Sequence, residues 1–222
     1  MIAFSKDRLS GFFSGKSDQR GVPIGEAGYV VVDTELTGLD PKRDSIISIG
    51  AVKMQGGRID LGNAFYRLIN PSTEMGRAGI VIHGITPSDV SEKPRIADVL
   101  SEFIEYCGDD IIVGHFISMD MNFLNRELKR LRGAYLKNSV ADTCKIYEWI
   151  KMSERDFSGY HTGGNGDLDL FSIARNYGVQ ISGAHNALND AFITAQLFQR
   201  FLSLLPGIGV KTLGDLLRIA KP

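Results

Sequence analysis

Residues 28–36 read GYVVVDTEL, an unbroken apolar run from Tyr29 to Val32 that ends in an acid, with a second acid two positions on. The run is too short for a helix and rich in β-branched residues, which fits a strand buried on both faces. Such a strand needs neighbours on either side and helices above and below. Side chains two apart on a strand share a face, so Asp33 and Glu35 project together from its end. Two ionised carboxylates so close repel each other, and loss of solvent deepens the penalty. Protonation of one relieves it, and so does a divalent cation; hard oxygen ligands suit Mg²⁺ or Mn²⁺. The other reading is a turn in which Asp33 or Thr34 caps the next segment and Glu35 faces water. This stretch alone leaves both open.

The rest of the chain supplies that strand's neighbours. SIISIGAVKM (45–54) and RIDLGNAFYRLI (58–69) flank QGG and read as a hairpin. In PRIADVLSEFIEY (94–106), Ile96, Val99, Leu100, Phe103 and Ile104 share one helical face behind a proline. DIIVGH (110–115) is a second short buried strand, and Phe123, Leu124, Leu128 and Leu131 then recur at helical spacing. NSVADT leads, strand-like, into a helix through Trp149, and KMSERDFSGYHTGGNG (151–166) reads as a polar, glycine-rich excursion. DLFSIARNYG ends at a helix-stopping Gly178. Ala187, Ala191, Ala195, Phe198 and Leu202 stripe a long helix from about 186 to 205. Three antiparallel-type strands followed by alternating helices and strands predict an α/β fold, a mixed central sheet with helices packed on it. A length of 222 residues suits one domain. We divide it into an arm or linker (1–27), the domain (28–205) and a short helical tail (206–222).

A net charge of -1 excludes a broadly basic nucleic-acid coat, so contact with a polyanion must be local or mediated by metal ions. The two cysteines, Cys107 and Cys144, lack metal-ligand spacing and read as buried free thiols in a reducing compartment. No apolar run approaches the ~20 residues that span a bilayer, and the first residues lack a signal peptide's apolar stretch. The expectation is a cytoplasmic protein without a membrane partner.

Two later stretches return to the acids. VGHFISMDMNFL (113–124) puts Asp120 on the core-facing side of its helix, and GAHNALNDAFITAQLF (183–198) puts Asp190 within the apolar stripe of the last long helix. An acid on a buried face needs a partner, and no Lys or Arg lies within a turn of Asp190. The nearest candidate is a metal shared with the strand carboxylates. His185, beside Gly183, is suited to general-base work near neutral pH.

DTELTGLD, VIHGIT (81–86), GHFISMD and HNALNDA occur in that order between residues 28 and 205. The ordered set resembles the DnaQ-like 3′→5′ exonucleases with a DEDDh active site, on a ribonuclease H-like fold. The resemblance implies that Asp33, Glu35, Asp120 and Asp190 bind two divalent ions, Mg²⁺ or Mn²⁺, with Asp33 bridging them and His185 as general base. It also implies that Leu36, Thr37, His83 and Met119 contact substrate. The substrate would be a single-stranded or frayed 3′ end of DNA, with RNA the alternative, as in relatives resembling oligoribonuclease or ribonuclease T. A polymerase or other replication protein is the implied partner, although the short tail favours a free-standing or accessory enzyme. A reading of another class is a non-catalytic binding module; the complete acid set and His185 stand against it. Two positions depart from the family pattern: Phe116 where Asn is usual, and Met119 where an aromatic is usual.

Four features have blander readings. His115 is expected to pack structurally and His161 to be solvated. Arg126, Lys129, Arg130, Arg132 and Lys137 read as the wet side of a helix that could also guide a strand. LPGIGVKTLGDLL (205–217) resembles a phosphate-binding hairpin, but equally suits an ordinary helix cap followed by a short packed helix.

Overall fold

The computed structural model describes residues 19–158, 168–181, 183 and 185–222. Its strands are β1 (Gly28–Leu36), β2 (Ile46–Gln55), β3 (Arg58–Leu68), β4 (Ile111–Gly114) and β5 (Val140–Asp142). Its helices are α1 (Arg77–His83), α2 (Pro87–Val90), α3 (Ile96–Cys107), α4 (Ser118–Arg132), α5 (Thr143–Ser158), α6 (Leu170–Asn176), α7 (Ala187–Leu204) and α8 (Leu213–Ile219). The sheet order is β3-β2-β1-β4-β5. β1, β2 and β3 pair antiparallel, while β1, β4 and β5 run parallel. The mixed α/β sheet expected from the sequence is therefore present, with β1 at its centre. Parallel pairing brings the C-terminal ends of β1, β4 and β5 to one edge, and the chain leaving β4 enters α4 there.

Alternation along β1 sorts the core into two layers. Tyr29 and Val31 pack with Ile146 of α5 and Phe198 of α7; Val30 and Val32 pack with Phe103 of α3 and Leu124 of α4. Continuing that alternation sends Asp33 and Glu35 to the α7 side and Thr34 to the α4 side. Gly50 on β2 lies opposite Asp33 on one side and Tyr66 on the other. A Cβ at Gly50 would sit 2.2 Å from the backbone N of Leu188 and 2.4 Å from the carbonyl oxygen of Ala187. The missing side chain is what lets the first turn of α7 descend onto the sheet beside Asp33.

Residues 22–27 of the arm and 206–220 of the tail share a core with the sheet. Ile24, Ala27, Leu205, Val210, Leu213, Leu216 and Ala220 are buried in one cluster with Tyr29 and Phe198. The Ile24 N–H donates to the Lys211 carbonyl, Leu213 N–H to Val22, and Asp142 N–H to Ala220, so the tail covers the β5 edge. LPGIG is an ordinary 3-10 turn capped by Gly209, and Thr212 and Asp215 form a capping box on α8.

The polar excursion begins as helix, since α5 extends to Ser158; residues 159–167, including His161, lie outside the described residues. Cys107 and Cys144 are buried free thiols. No helix among the described residues is long and apolar enough to cross a membrane.

Replacing Gly50 with Ala is expected to destabilise the protein by about 1–3 kcal/mol, the usual cost of overpacking, and to lower turnover by lifting α7. A urea midpoint equal to the parent's would show that α7 does not rest on this residue.

Candidate active site

The strand acids and the last helix meet at this edge. One carboxylate oxygen from each of Asp33, Glu35 and Asp190 lies within 4.8 Å of the others. Asp120 comes from the opposite layer: its Oδ1 accepts a 2.6 Å hydrogen bond from Thr34 Oγ1, and it is buried. Thr34 thus ties α4 to the strand that carries the other two acids. In Asp190, Oδ2 accepts from the His185 N–H at 3.2 Å, and Oδ1 is buried with no hydrogen-bond partner. Among the described ion pairs, none includes any of the four acids.

The electrostatic consequence is uniform. Burial, then the charges of Asp120, Glu35 and Asp190, raise the Asp33 pKa well above the ordinary carboxylate value. Burial, then Asp190 and Asp120, push Glu35 up to about 7. Burial raises Asp120 to about 6 against the Thr34 hydrogen bond. It raises Asp190 to about 6 against the His185 N–H and the nearby imidazole. A buried acceptor without a donor and three converging carboxylates, with no cationic partner among the described ion pairs, form a hard-oxygen site that could hold a divalent metal ion.

His185 is held in the left-handed region, at φ 64, with its ring edge against Phe171 at 5.3 Å. The following Asn186 caps α7, its Oδ1 accepting from the Leu188 and Asn189 N–H groups. Its Nδ2 donates to the Tyr66 hydroxyl at 3.2 Å. Burial raises the Tyr66 pKa against the Asn186 hydrogen bond, and the Glu35 charge adds to the rise. Thr34, Tyr66 and Asn186 were not among the sequence-level candidates. Asn186 had a readable signal, an N-cap residue before an apolar helix. Tyr66 had none, because only the pairing register of β1, β2 and β3 brings it across from Asp33.

The four expected substrate contacts divide. Met119, next to Asp120, is exposed, and Leu36 is half-buried. The Thr37 hydroxyl is taken up inside the fold, donating to Asp44 Oδ1 at 3.1 Å and accepting from the Ser45 N–H at 2.9 Å. His83 is buried, and its Nδ1 accepts from the Ile85 N–H; burial holds its pKa below the usual histidine value. Gly79 of α1 packs so near the Leu36 and Thr37 carbonyls that α1 lies directly against the first motif. His115 is structural in its bonding, with Nδ1 on Thr143 Oγ1 at 2.9 Å and Nε2 on the Leu168 carbonyl at 2.8 Å.

The basic run is largely engaged within the protein. Arg126 and Arg130 each pair with buried Glu127 at 2.7 Å, Arg126 also reaches the Pro41 carbonyl, and Arg132 bonds Ser101.

A family model described as "Exonuclease" matches residues 30–198. The chain belongs to this exonuclease family, and the enzyme class read from the motifs stands with it. It is 34% identical over 177 residues to the DNA polymerase III subunit epsilon of Aquifex aeolicus, covering 80% of this chain and 81% of that protein. It is 36% identical over 193 residues to the PolC-type DNA polymerase III of Thermotoga maritima, covering 87% of this chain but 13% of that protein. The chain thus spans only a small part of the PolC-type relatives it matches. Its fold resembles that of exonuclease X in complex with 5′ overhanging duplex DNA, with a TM-score of 0.63 at 22% identity over 86% of this chain and 99% of that one. It also resembles that of E. coli exonuclease I in complex with a dT13 oligonucleotide, with a TM-score of 0.66 at 17% identity over 82% of this chain and 42% of that one. The architecture is that of the ribonuclease H-like exonucleases.

Raised carboxylate pKa values make a signed prediction. Between about 4, where free carboxylates titrate, and about 7, the value for Glu35, the unfolded chain has already released protons that the fold retains. Metal-free stability should therefore fall as pH rises through this window. Asp33→Asn is expected to raise the melting temperature of the metal-free protein at neutral pH. A lower melting temperature in that variant, or metal-free stability that rises across the window, would contradict the repulsion.

Proposed function

We propose that this chain is a DNA-directed 3′→5′ exonuclease that uses two divalent ions, Mg²⁺ or Mn²⁺, to release nucleoside monophosphates. The observation that carries the reading is the convergence of Asp33, Glu35 and Asp190 within 4.8 Å, with Asp190 Oδ1 buried and unpartnered. Asp33, Glu35 and Asp190 would hold one ion, with Asp33 shared toward a second beside Asp120. Bound there, the ions would neutralise the carboxylates, acidify a water and stabilise the leaving 3′-oxygen. His185 takes the proton of the attacking water, and the bond from its own N–H to Asp190 keeps it beside the cluster. Tyr66 and Asn186 fix the start of α7 from which both His185 and Asp190 project.

The epsilon-subunit and PolC relatives support a DNA 3′ end as substrate and a replication polymerase as partner. The single-stranded oligonucleotide and the overhanging duplex bound by the two structural neighbours support an unpaired end. Leu36 and Met119 are the two expected contacts with surface left for it. A cytoplasmic setting accords with such a substrate.

Incubation with 5′-labelled single-stranded DNA and Mg²⁺ or Mn²⁺ is expected to give a ladder shortening from the 3′ end, with mononucleotide release, and chelator should stop it. Internal cleavage, or unchanged degradation in chelator, would contradict the proposal. His185→Ala should lower turnover by roughly 10²–10⁴, the usual worth of a positioned acid–base group, while leaving the metal-induced thermal shift intact. Near-normal turnover in the folded variant would remove His185 from the chemistry.

A further inference from the structure

Phe116 occupies a conformation that its side chain disfavours. Its φ is 53, in the left-handed region where Gly and Asn are at home and a bulky aromatic is strained. The backbone is pinned on both sides of that φ. Its N–H donates to Asp142 Oδ1 at 3.2 Å, and its carbonyl accepts from the Met119 N–H at 3.1 Å. The ring rests edge-on against His115, with centroids 4.7 Å apart, and the His115 imidazole is itself fixed at both nitrogens. Yet Phe116 is 49% exposed, and Met119 beside it is 40% exposed. Burial therefore does not compensate the strain in full.

The place of this residue is informative. Val31 of β1 pairs in parallel with Val113 of β4, so His115, just past the end of β4, leaves the sheet at the same edge as the end of β1 that carries Asp33. Phe116 follows at once, and Asp120, four residues later, is bonded to Thr34. An exposed aromatic on a pinned backbone thus stands near the carboxylate site, since the Asp142 that holds its N–H is close enough to Asp120 to act on it electrostatically. No Lys or Arg accompanies it in the segment 115–120, so it is chemically matched to an apolar flat face and not to a phosphate.

We infer that Phe116, flanked by Met119, is a stacking platform for an unpaired nucleobase near the 3′ end. This rests on the exonuclease reading above. An unpaired base offers a flat face on which an aromatic ring can stack, whatever its sequence.

The test is affinity, measured by fluorescence anisotropy with Ca²⁺ present, for wild type, Phe116→Ala, Phe116→Asn and Phe116→Trp. The ligands are single-stranded DNA with natural bases and the same strands with one abasic nucleotide moved through the last three positions. Stacking is worth about tenfold or more in Kd per base, so Ala and Asn should weaken binding by about that factor while Trp retains it. At one abasic position wild type should weaken equally, and the variants should then become indistinguishable from it. Phe116→Asn should melt no lower than wild type, because Asn tolerates the left-handed conformation. Unchanged affinity in Ala and Asn, or a loss that persists at every abasic position, would overturn the inference. So would a lower melting temperature in Phe116→Asn with affinity intact. Failure of the exonuclease reading would register separately, as no mononucleotide release by wild type with Mg²⁺ or Mn²⁺.

Discussion

Mutual repulsion among Asp33, Glu35, Asp120 and Asp190 is the constraint around which this fold is arranged. Burial raises the pKa of all four, the charges of the other acids add to it at Asp33 and Glu35, and no cationic side chain among the described ion pairs answers them. A cluster of this kind persists only because the surroundings are over-determined. The apolar run of β1 is locked between two core layers, Gly50 seats α7, and Thr34 draws α4 in. Hydrophobic burial elsewhere holds the acids in place, and their unrelieved charge remains available for divalent ions.

That arrangement was partly legible in the sequence. The central strand and the long helix could be read because their apolar periods, continuous in one and near 3.6 in the other, match the layers they bury. The acids stood out because each sat where an apolar residue belongs. What local pattern could not supply was anything that depends on register or on distant segments. Asp120 reaches the site through the Thr34 hydroxyl, whose direction follows from strand alternation, and Tyr66 is positioned only by two successive strand pairings. The segments before Ala27 and after Leu205 contribute core residues to each other and to the sheet, a long-range pairing invisible to any short window. Helices α1 and α2 are too short to display a period, although the Thr86–Asp89 capping box was present in the sequence. The positive φ of Phe116 has no signature at all in a residue that normally avoids it.

The site and its relatives point the same way from independent directions. The carboxylate geometry requires only electrostatics, while the family match over residues 30–198 requires only sequence. The relatives range from an epsilon subunit of which 81% is covered to PolC-type polymerases of which 13% is covered. One exonuclease unit is thus found both as most of a chain and as a small part of one.

The most direct measurement is calorimetric titration of Mn²⁺ into the protein in buffers of different ionisation enthalpy, repeated from pH 5.5 to pH 9 (about the range that spans the raised pKa values). Ions that bind by displacing retained protons should release protons on binding near pH 6, and the release should shrink as the pH rises and the carboxylates ionise unaided. Binding should be lost in Asp33→Asn combined with Asp190→Asn. Mn²⁺ that binds with no proton release at any pH, or binds the double variant as it binds the parent, would contradict the central role given to carboxylate repulsion.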